Sequence, residues 1–394
     1  MLLTSCIQNL APSPTLELTA KTKKLIEDGK DIINLAGGEP DFNSPEEASE
    51  AAIKAIQRGF TKYTAVDGNS DLKKAILHKT NVHLKTHFQD NEVIVGAGAK
   101  QLIFNALFAT LNPEDEVIIP APYWSSYPSI VKMLGAHPVM PIGEATSHFK
   151  ITAAQLHKAI TPRTKWFILN SPNNPTGAVY TKEELKALAA VLKDYPHVWI
   201  LSDDIYKEIN YAPVPHLSEH TFLRNRLLII DGVSKVFSMT GWRIGWALGP
   251  DTLIQALKRI QSQQTSNACS ISQKAALGAL EKAHKWPEKI RNIFQERRDM
   301  FCKGLQELGF EINIPHGAFY VYAGLHRFMG KKWGETCIDS DMTFAQLLVN
   351  HAGISGIPGG AFGLKPYIRF SYTQSIPKLK EALVRLQKAC HSLA

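Results

Sequence analysis

A chain of 394 residues, 44% hydrophobic and 20% charged, has the make-up of a globular protein with core enough for more than one usual domain. Its formal charge of +8 admits anionic partners, but the lysines and arginines are scattered among acids, as in AKTKKLIEDGKD (20–31) and KEELKALAAVLKD (182–194). No basic block is interleaved with aromatics, so small anions are expected as ligands rather than nucleic acid. No apolar run approaches the ~20 residues that span a bilayer, and no membrane association is expected. Five cysteines, Cys6, Cys269, Cys302, Cys337 and Cys390, are widely spaced without a CxxC pair, which suits reduced thiols better than disulfides or zinc. MLLTSCIQNLAPSPT carries neither the basic start nor the long apolar stretch of a secretory signal, so a cytoplasmic location is expected.

In chain order, residues 10–29 give a helical pattern that stops at Gly29, and DIINLAGGEPDF (31–42) is a short strand running into a glycine loop. Adjacent Gly37 and Gly38 let backbone approach a ligand closely. Residues 44–59 form a helix with Ser-Pro at its start, and 62–76 a turn and another helix. NEVIVGAGAKQLIFNALFATL (91–111) reads strand, glycine turn, helix; the helix N-terminus at Gly98, Ala99 and Lys100 is a ready phosphate cradle. It is neither a P-loop nor a full GxGxxG, because Gln101 stands where the pattern breaks. The strand EVIIP (116–120) leads to APYWSSYPSIVKMLG, whose Trp124 can stack on a planar ring. TKWFILNSPNNPTGAVYTKEELKALAAVLKD (164–194) is a strand, an Asn/Pro turn and an amphipathic helix opened by a Thr181–Glu184 capping box.

HVWILSDDIYKEI (197–209) reads as a buried strand ending in Asp203 and Tyr206, both able to reach a bound ring. His216 and His220 are four apart without an evident third ligand, so they are expected at the surface, with no metal site. RLLII (226–230) is a buried strand followed by DGVSKVFSMTGWRIGW (231–246). A lysine at the end of a buried strand, Lys235, loses solvation, which lowers its pKa and makes its amine nucleophilic. Eight residues on, Arg243 can hold a phosphate through a forked pair of hydrogen bonds. Together they suit a phosphate-bearing aldehyde held as a Schiff base. Two helices follow about a polar segment (261–270), then a long helix (288–309) joining two domains, two strands (309–324, 366–373) and a terminal amphipathic helix (374–390).

The stretch GVSKVFSMTGWRIG resembles the pyridoxal-phosphate lysine motif of class I/II aminotransferases, and GEPDF (38–42), the Tyr63–Gly68 spacing, SPNNPTG (171–177) and YIRFSY (367–372) resemble other motifs of that family in the same order. The resemblance implies the α/β fold type I: a large domain with a mostly parallel seven-stranded sheet between helices, and a smaller α+β domain. The expected boundaries are 1–44 for an N-terminal segment contributing to the small domain, 45–287 for the cofactor-binding domain and 288–394 for the small domain. It implies pyridoxal 5'-phosphate held by Lys235, with Asp203 on the pyridine nitrogen and Tyr206 and Asn174 on the phenolic oxygen. Trp124 would lie against the ring, and Gly98, Ala99, Lys100, Ser234 and Arg243 would hold the phosphate. Tyr63 would reach the phosphate of the other subunit, implying a homodimer with shared active sites. Gly38, Arg369, Trp124 and Asn174 would contact the substrate, with Gly38 and Arg369 on the α-carboxylate.

Within the family the chain resembles the bacterial aspartate aminotransferase subgroup (Ib), where a lysine and a threonine help with the distal carboxylate; Lys100 and Thr15 stand there, and 261–267 would supply a partner's polar contact. Ala11 stands where a lysine is common, and Gly232 where a serine is common. The implied reaction moves the amino group of L-aspartate to 2-oxoglutarate by a ping-pong mechanism. An aromatic aminotransferase, or a β-lyase on the same cofactor, is the alternative.

Overall fold

Seven short strands form the central sheet, in the order Val93–Gly96, Gly245–Leu248, Leu227–Gly232, Trp199–Asp203, Thr164–Asn170, Glu116–Ile118, His137–Val139. The computed structural model describes residues 5–8 and 14–393, without the side chains of 5–6, 14–17 and 19. Only Gly245–Leu248 runs antiparallel to its neighbours; the other sheet pairings are parallel. Strands covered on both faces read as unbroken apolar runs, and all six residues of Leu227–Gly232 are buried. Alternate side chains serve opposite cores, as a period of two requires. Phe167, Leu169, Ile200 and Ile229 meet the helices Glu46–Gln57, Ser70–Leu84, Lys182–Lys193 and Ser270–Lys282. Trp166, Ile168, Leu201 and Ile230 meet Ala99–Thr110, Ser126–Met133 and Asp251–Gln264.

A second core lies around a four-stranded antiparallel sheet, ordered Ile357–Pro358, Tyr367–Ser371, Tyr320–Gly324, Glu311–Ile312. Phe301, Phe310, Phe344 and Phe370 fill it, under the helices Trp286–Glu307 and Ile376–His391. The N-terminal strand Ile33–Asn34 pairs in parallel with Ile354–Ser355, beside this second core. The mostly parallel seven-stranded sheet between helices, with a smaller α+β body, is the α/β fold the motifs implied.

The sheet brings four strand ends to one edge: Gly96, Asn170, Asp203 and Gly232, where open α/β sheets bind ligands. Gly245 sits opposite both Gly96 and Gly232. A β-carbon on Gly232 would come within 2.9 Å of Ile244 O, and one on Gly245 within 2.5 Å of Ala99 N. A side chain at 232 would have to push this backbone apart, and glycine fits it as it stands. The capping box forms as read: Glu184 N donates to Thr181 Oγ1 at 3.2 Å and Thr181 N to Glu184 Oε2 at 2.7 Å.

One expectation fails. His216 is not a surface residue: it is buried, with Nε2 3.0 Å from Asp204 Oδ2 and 3.3 Å from Ser202 Oγ. Its neighbour Leu217 is completely buried and draws the loop inward, so the imidazole joins Ser202 Oγ, which donates to Asp204 Oδ1 at 2.7 Å, around a buried acid. No helix among the described residues is long and apolar enough to cross a membrane.

Candidate active site

Lys235 lies in the turn after Leu227–Gly232, its Nζ donating to Gly38 O at 2.6 Å. Burial, helped by the positive charges of Arg369 and Arg243 and opposed by Glu39 and Asp203, brings its pKa down to about 8. An appreciable share of the amine is therefore neutral near pH 8, as a nucleophile must be. Nζ stands 5.9 Å from the Tyr206 ring centroid.

Three buried acids crowd the strand ends, and their partners differ. Asp231 faces Lys207 Nζ at 2.8 Å, and Asp204 faces His216 at 3.0 Å. Asp203 has no cation at ion-pair distance among the described residues; Tyr127 Oη donates to its Oδ2 at 2.5 Å and Ile205 N to its Oδ1 at 3.2 Å. Burial, with Asp204 and Asp231 adding to it, raises its pKa to about 6 against the pull of those two donors. A ligand carrying an N–H⁺ would bring it down.

The helix start expected to cradle an anion is that of Ala99–Thr110. Gly98 has φ +87°, and a β-carbon there would lie 2.5 Å from Arg243 Nη2. Glycine suits this positive φ and leaves room for the guanidinium beside the helix end, so both could face one anion. Arg243 Nη1 donates to Thr240 O at 2.8 Å, and Ser234 is buried next to Lys235. Lys100 Nζ lies 4.8 Å from the Trp124 ring centroid, and burial, then Arg243, lower its pKa.

Across the site Arg369 is buried in the middle of Tyr367–Ser371. Its Nη1 donates to Asn174 Oδ1 at 2.9 Å and its Nη2 to Ala36 O at 2.8 Å, while Nε has no partner. The guanidinium lies 4.4 Å from the Tyr320 ring centroid and 4.9 Å from that of Phe362. Burial lowers its pKa, and the groups opposing that fall are tyrosines, not acids. A buried cation held by neutral acceptors is ready for a carboxylate.

Three residues here were not picked out from sequence. Tyr127 bonds Asp203 and meets Trp124 edge to face at 5.2 Å. Tyr320 shares a 3.0 Å hydrogen bond with Tyr206 and underlies Arg369. Asn170 accepts from Asn174 N at 2.8 Å and donates to Asp203 O at 2.9 Å. Helical spacing from Trp124 and strand alternation in Phe-Tyr-Val-Tyr were the available signals for the two tyrosines. Tyr63 is not brought to the other site residues within one chain: it is 90% exposed and lines a surface pocket with Phe60, Asn69 and Asp90. Thr15 is in the first turn of Pro14–Glu27, but its side chain is outside the described residues, as is Ala11.

The family model for aminotransferase class I and II matches residues 30–386. The chain is 46% identical over 397 residues to an aspartate/prephenate aminotransferase of Cereibacter sphaeroides, covering 100% of this chain and 99% of that one. It is 43% identical over 395 residues to an aspartate aminotransferase of Rhizobium meliloti, covering 99% and 96%. The chain belongs to the class I and II aminotransferases. Among solved structures, the Rhizobium meliloti aspartate aminotransferase superposes with a TM-score of 0.96 at 43% identity, covering 100% of both chains. The aspartate aminotransferase of Thermus thermophilus with maleate gives 0.93 at 36% identity, covering 99% of this chain and 100% of that one. This aminotransferase is thus a fold type I transaminase of the aspartate aminotransferase type, and the family implies dependence on pyridoxal phosphate. Its residues fit that group: a softened, partly buried amine, a buried acid without a cation, and a cradle that a β-carbon would fill.

Proposed function

We propose that this aminotransferase moves the amino group of L-aspartate to 2-oxoglutarate, giving oxaloacetate and L-glutamate, with the first product leaving before the second substrate enters. The observation that carries the reading is Lys235 set among Asp203, without a cation partner, and Arg369, held by neutral acceptors. Pyridoxal phosphate, when bound, supplies a ring that takes up charge developed at the substrate's α carbon. Lys235 would hold it through Nζ, Asp203 through its ring nitrogen, Asn174 and Tyr206 through its phenolic oxygen, and Trp124 against its face. Gly98, Ala99, Lys100, Ser234 and Arg243 would hold its phosphate, joined in a homodimer by the partner subunit's Tyr63.

Arg369 and the Gly38 backbone would grip the substrate's α-carboxylate and turn its α C–H toward Lys235, whose neutral amine would take up the proton and give it back. Lys100 and Thr15 serve the distal carboxylate. The cofactor is carried by residues 45–287, while 1–44 and 288–394 make up the smaller body, and the enzyme works in the cytoplasm.

The rate at which cofactor-free protein captures pyridoxal phosphate should follow the neutral fraction of Lys235, whose pKa is about 8. It rises roughly five-fold from pH 7 to pH 8 and levels off above about pH 9. A rate still climbing about ten-fold from pH 8 to pH 9 would belong to an unperturbed lysine. The donor is tested on loaded protein: L-aspartate bleaches the visible cofactor band and 2-oxoglutarate restores it, with oxaloacetate and glutamate formed one for one. Fast bleaching by tyrosine or phenylalanine and slow bleaching by aspartate would replace this with the aromatic reading. Pyruvate and ammonia released without an acceptor from an amino acid with a leaving group on its β carbon, such as cysteine, would replace it with β-elimination. Prephenate, in the name of the Cereibacter relative, is the second acceptor to assay.

A further inference from the structure

The GEPDF loop (38–42) is pinned at both ends. Its start rests on the lysine turn, through Lys235 Nζ to Gly38 O at 2.6 Å and Thr240 Oγ1 to Glu39 Oε2 at 2.7 Å. Its end rests on Arg297, a buried residue midway along Trp286–Glu307. The guanidinium forks onto Asp41, Nη1 to Oδ1 at 2.7 Å and Nη2 to Oδ2 at 3.0 Å. It also lies 4.9 Å from the Phe42 ring centroid, and Phe42 meets Phe294 edge to face at 5.8 Å. Nη1 has one further acceptor, Thr373 O at 2.6 Å, two residues beyond the strand that carries Arg369.

One planar side chain therefore joins the loop of Gly38 to the strand of Arg369. Arginine suits the task because its donors point in fixed directions, so each bond constrains the others. An exposed ion pair would hold little, but this guanidinium is buried and the acid it grips is partly open to water, with 27% of its side chain exposed.

We propose that Arg297 is a positioning residue for the substrate's α-carboxylate: it fixes Gly38 through Asp41 and Arg369 through Thr373, and so sets the spacing between the two halves of the grip. The inference rests on the carboxylate roles given to Gly38 and Arg369 above. Asp203, Gly98 and Arg243, on the cofactor side, make no hydrogen bond to Arg297 among the described residues. Donor and acceptor substrates both carry the α-carboxylate, so the effect falls on both and spares the cofactor.

The test uses loaded, full-length protein with Arg297→Met, Arg297→Lys and Asp41→Asn. Displacement of a positioning group by about an ångström can cost up to ~10²-fold, and we expect KM for both substrates to rise about ten-fold or more in Arg297→Met. Turnover stays within about three-fold and cofactor affinity is unchanged; Arg297→Lys falls between parent and Met. Asp41→Asn, at a partly exposed position, keeps the test open if the arginine variants fail to fold, and its rise in KM is not additive with theirs. A lowered Tm with unchanged KM overturns the proposal, and so does a loss of turnover that tracks lost cofactor. A parent that ignores aspartate overturns the donor assignment instead; the ratio of variant to parent KM on the amino acid it does use then decides the role of Arg297.

Discussion

Lys235→Ala lowers turnover by on the order of 10⁴-fold or more while the protein still folds, because in its proposed roles Lys235 is both the amine that holds the cofactor and the base that moves the proton. The folding half of this result follows from burial. Lys235 is held charged in the chain only against a penalty that takes its pKa from 10.5 to about 8. For a lysine whose folded pKa is lowered, that penalty is fully present below the folded pKa and fades as pH rises toward the unfolded value. At pH 7 it is on the order of 3 kcal/mol. The hydrogen bond to Gly38 O returns part of it. Cofactor-free Lys235→Ala should therefore melt no lower than the cofactor-free parent at pH 7, with the difference shrinking toward pH 10. A variant that melts well below its parent would mean the lysine is structural.

Arg369→Leu gives the second large effect. The guanidinium is buried, so its carboxylate partner would be desolvated too, and removing one side of such a pair costs about 2–5 kcal/mol. We expect kcat/KM to fall by about 10²–10³-fold for every amino acid tested. The cofactor band is retained, since Asp203, Gly98 and Arg243 stand on other elements. Arg369→Lys recovers little, because one ammonium cannot keep Asn174 Oδ1 and Ala36 O while gripping a carboxylate with a fork. Loss of only the dicarboxylate substrates, with alanine unaffected, would move Arg369 to the distal end of the substrate.

Much of the site was legible because its chemistry is written in local runs. Lys235 and Asp203 close apolar strands, and Gly98 opens a helix, so their places at one sheet edge follow from strand direction. Residues defined by distant contacts were not legible. Tyr127 meets Asp203 across 76 positions and Tyr320 meets Tyr206 across 114, and the local spacing around each tyrosine does not name its partner. His216 was misplaced for the same reason, since Asp204 is brought to it by the fold of a loop. Gly232 has no meaning until Gly245 and Ile244 are seen against it. Tyr63 is the reverse case: a motif marks it, but within a single chain it is exposed and away from the other site residues.

The most direct measurement is to load the protein with pyridoxal phosphate, reduce it with borohydride and map the peptide that gains mass. One cofactor per chain is expected, attached at Lys235 in the peptide around 231–246, with transaminase activity lost in step. Attachment at Lys100, scatter over surface lysines, or no attachment at all would contradict it.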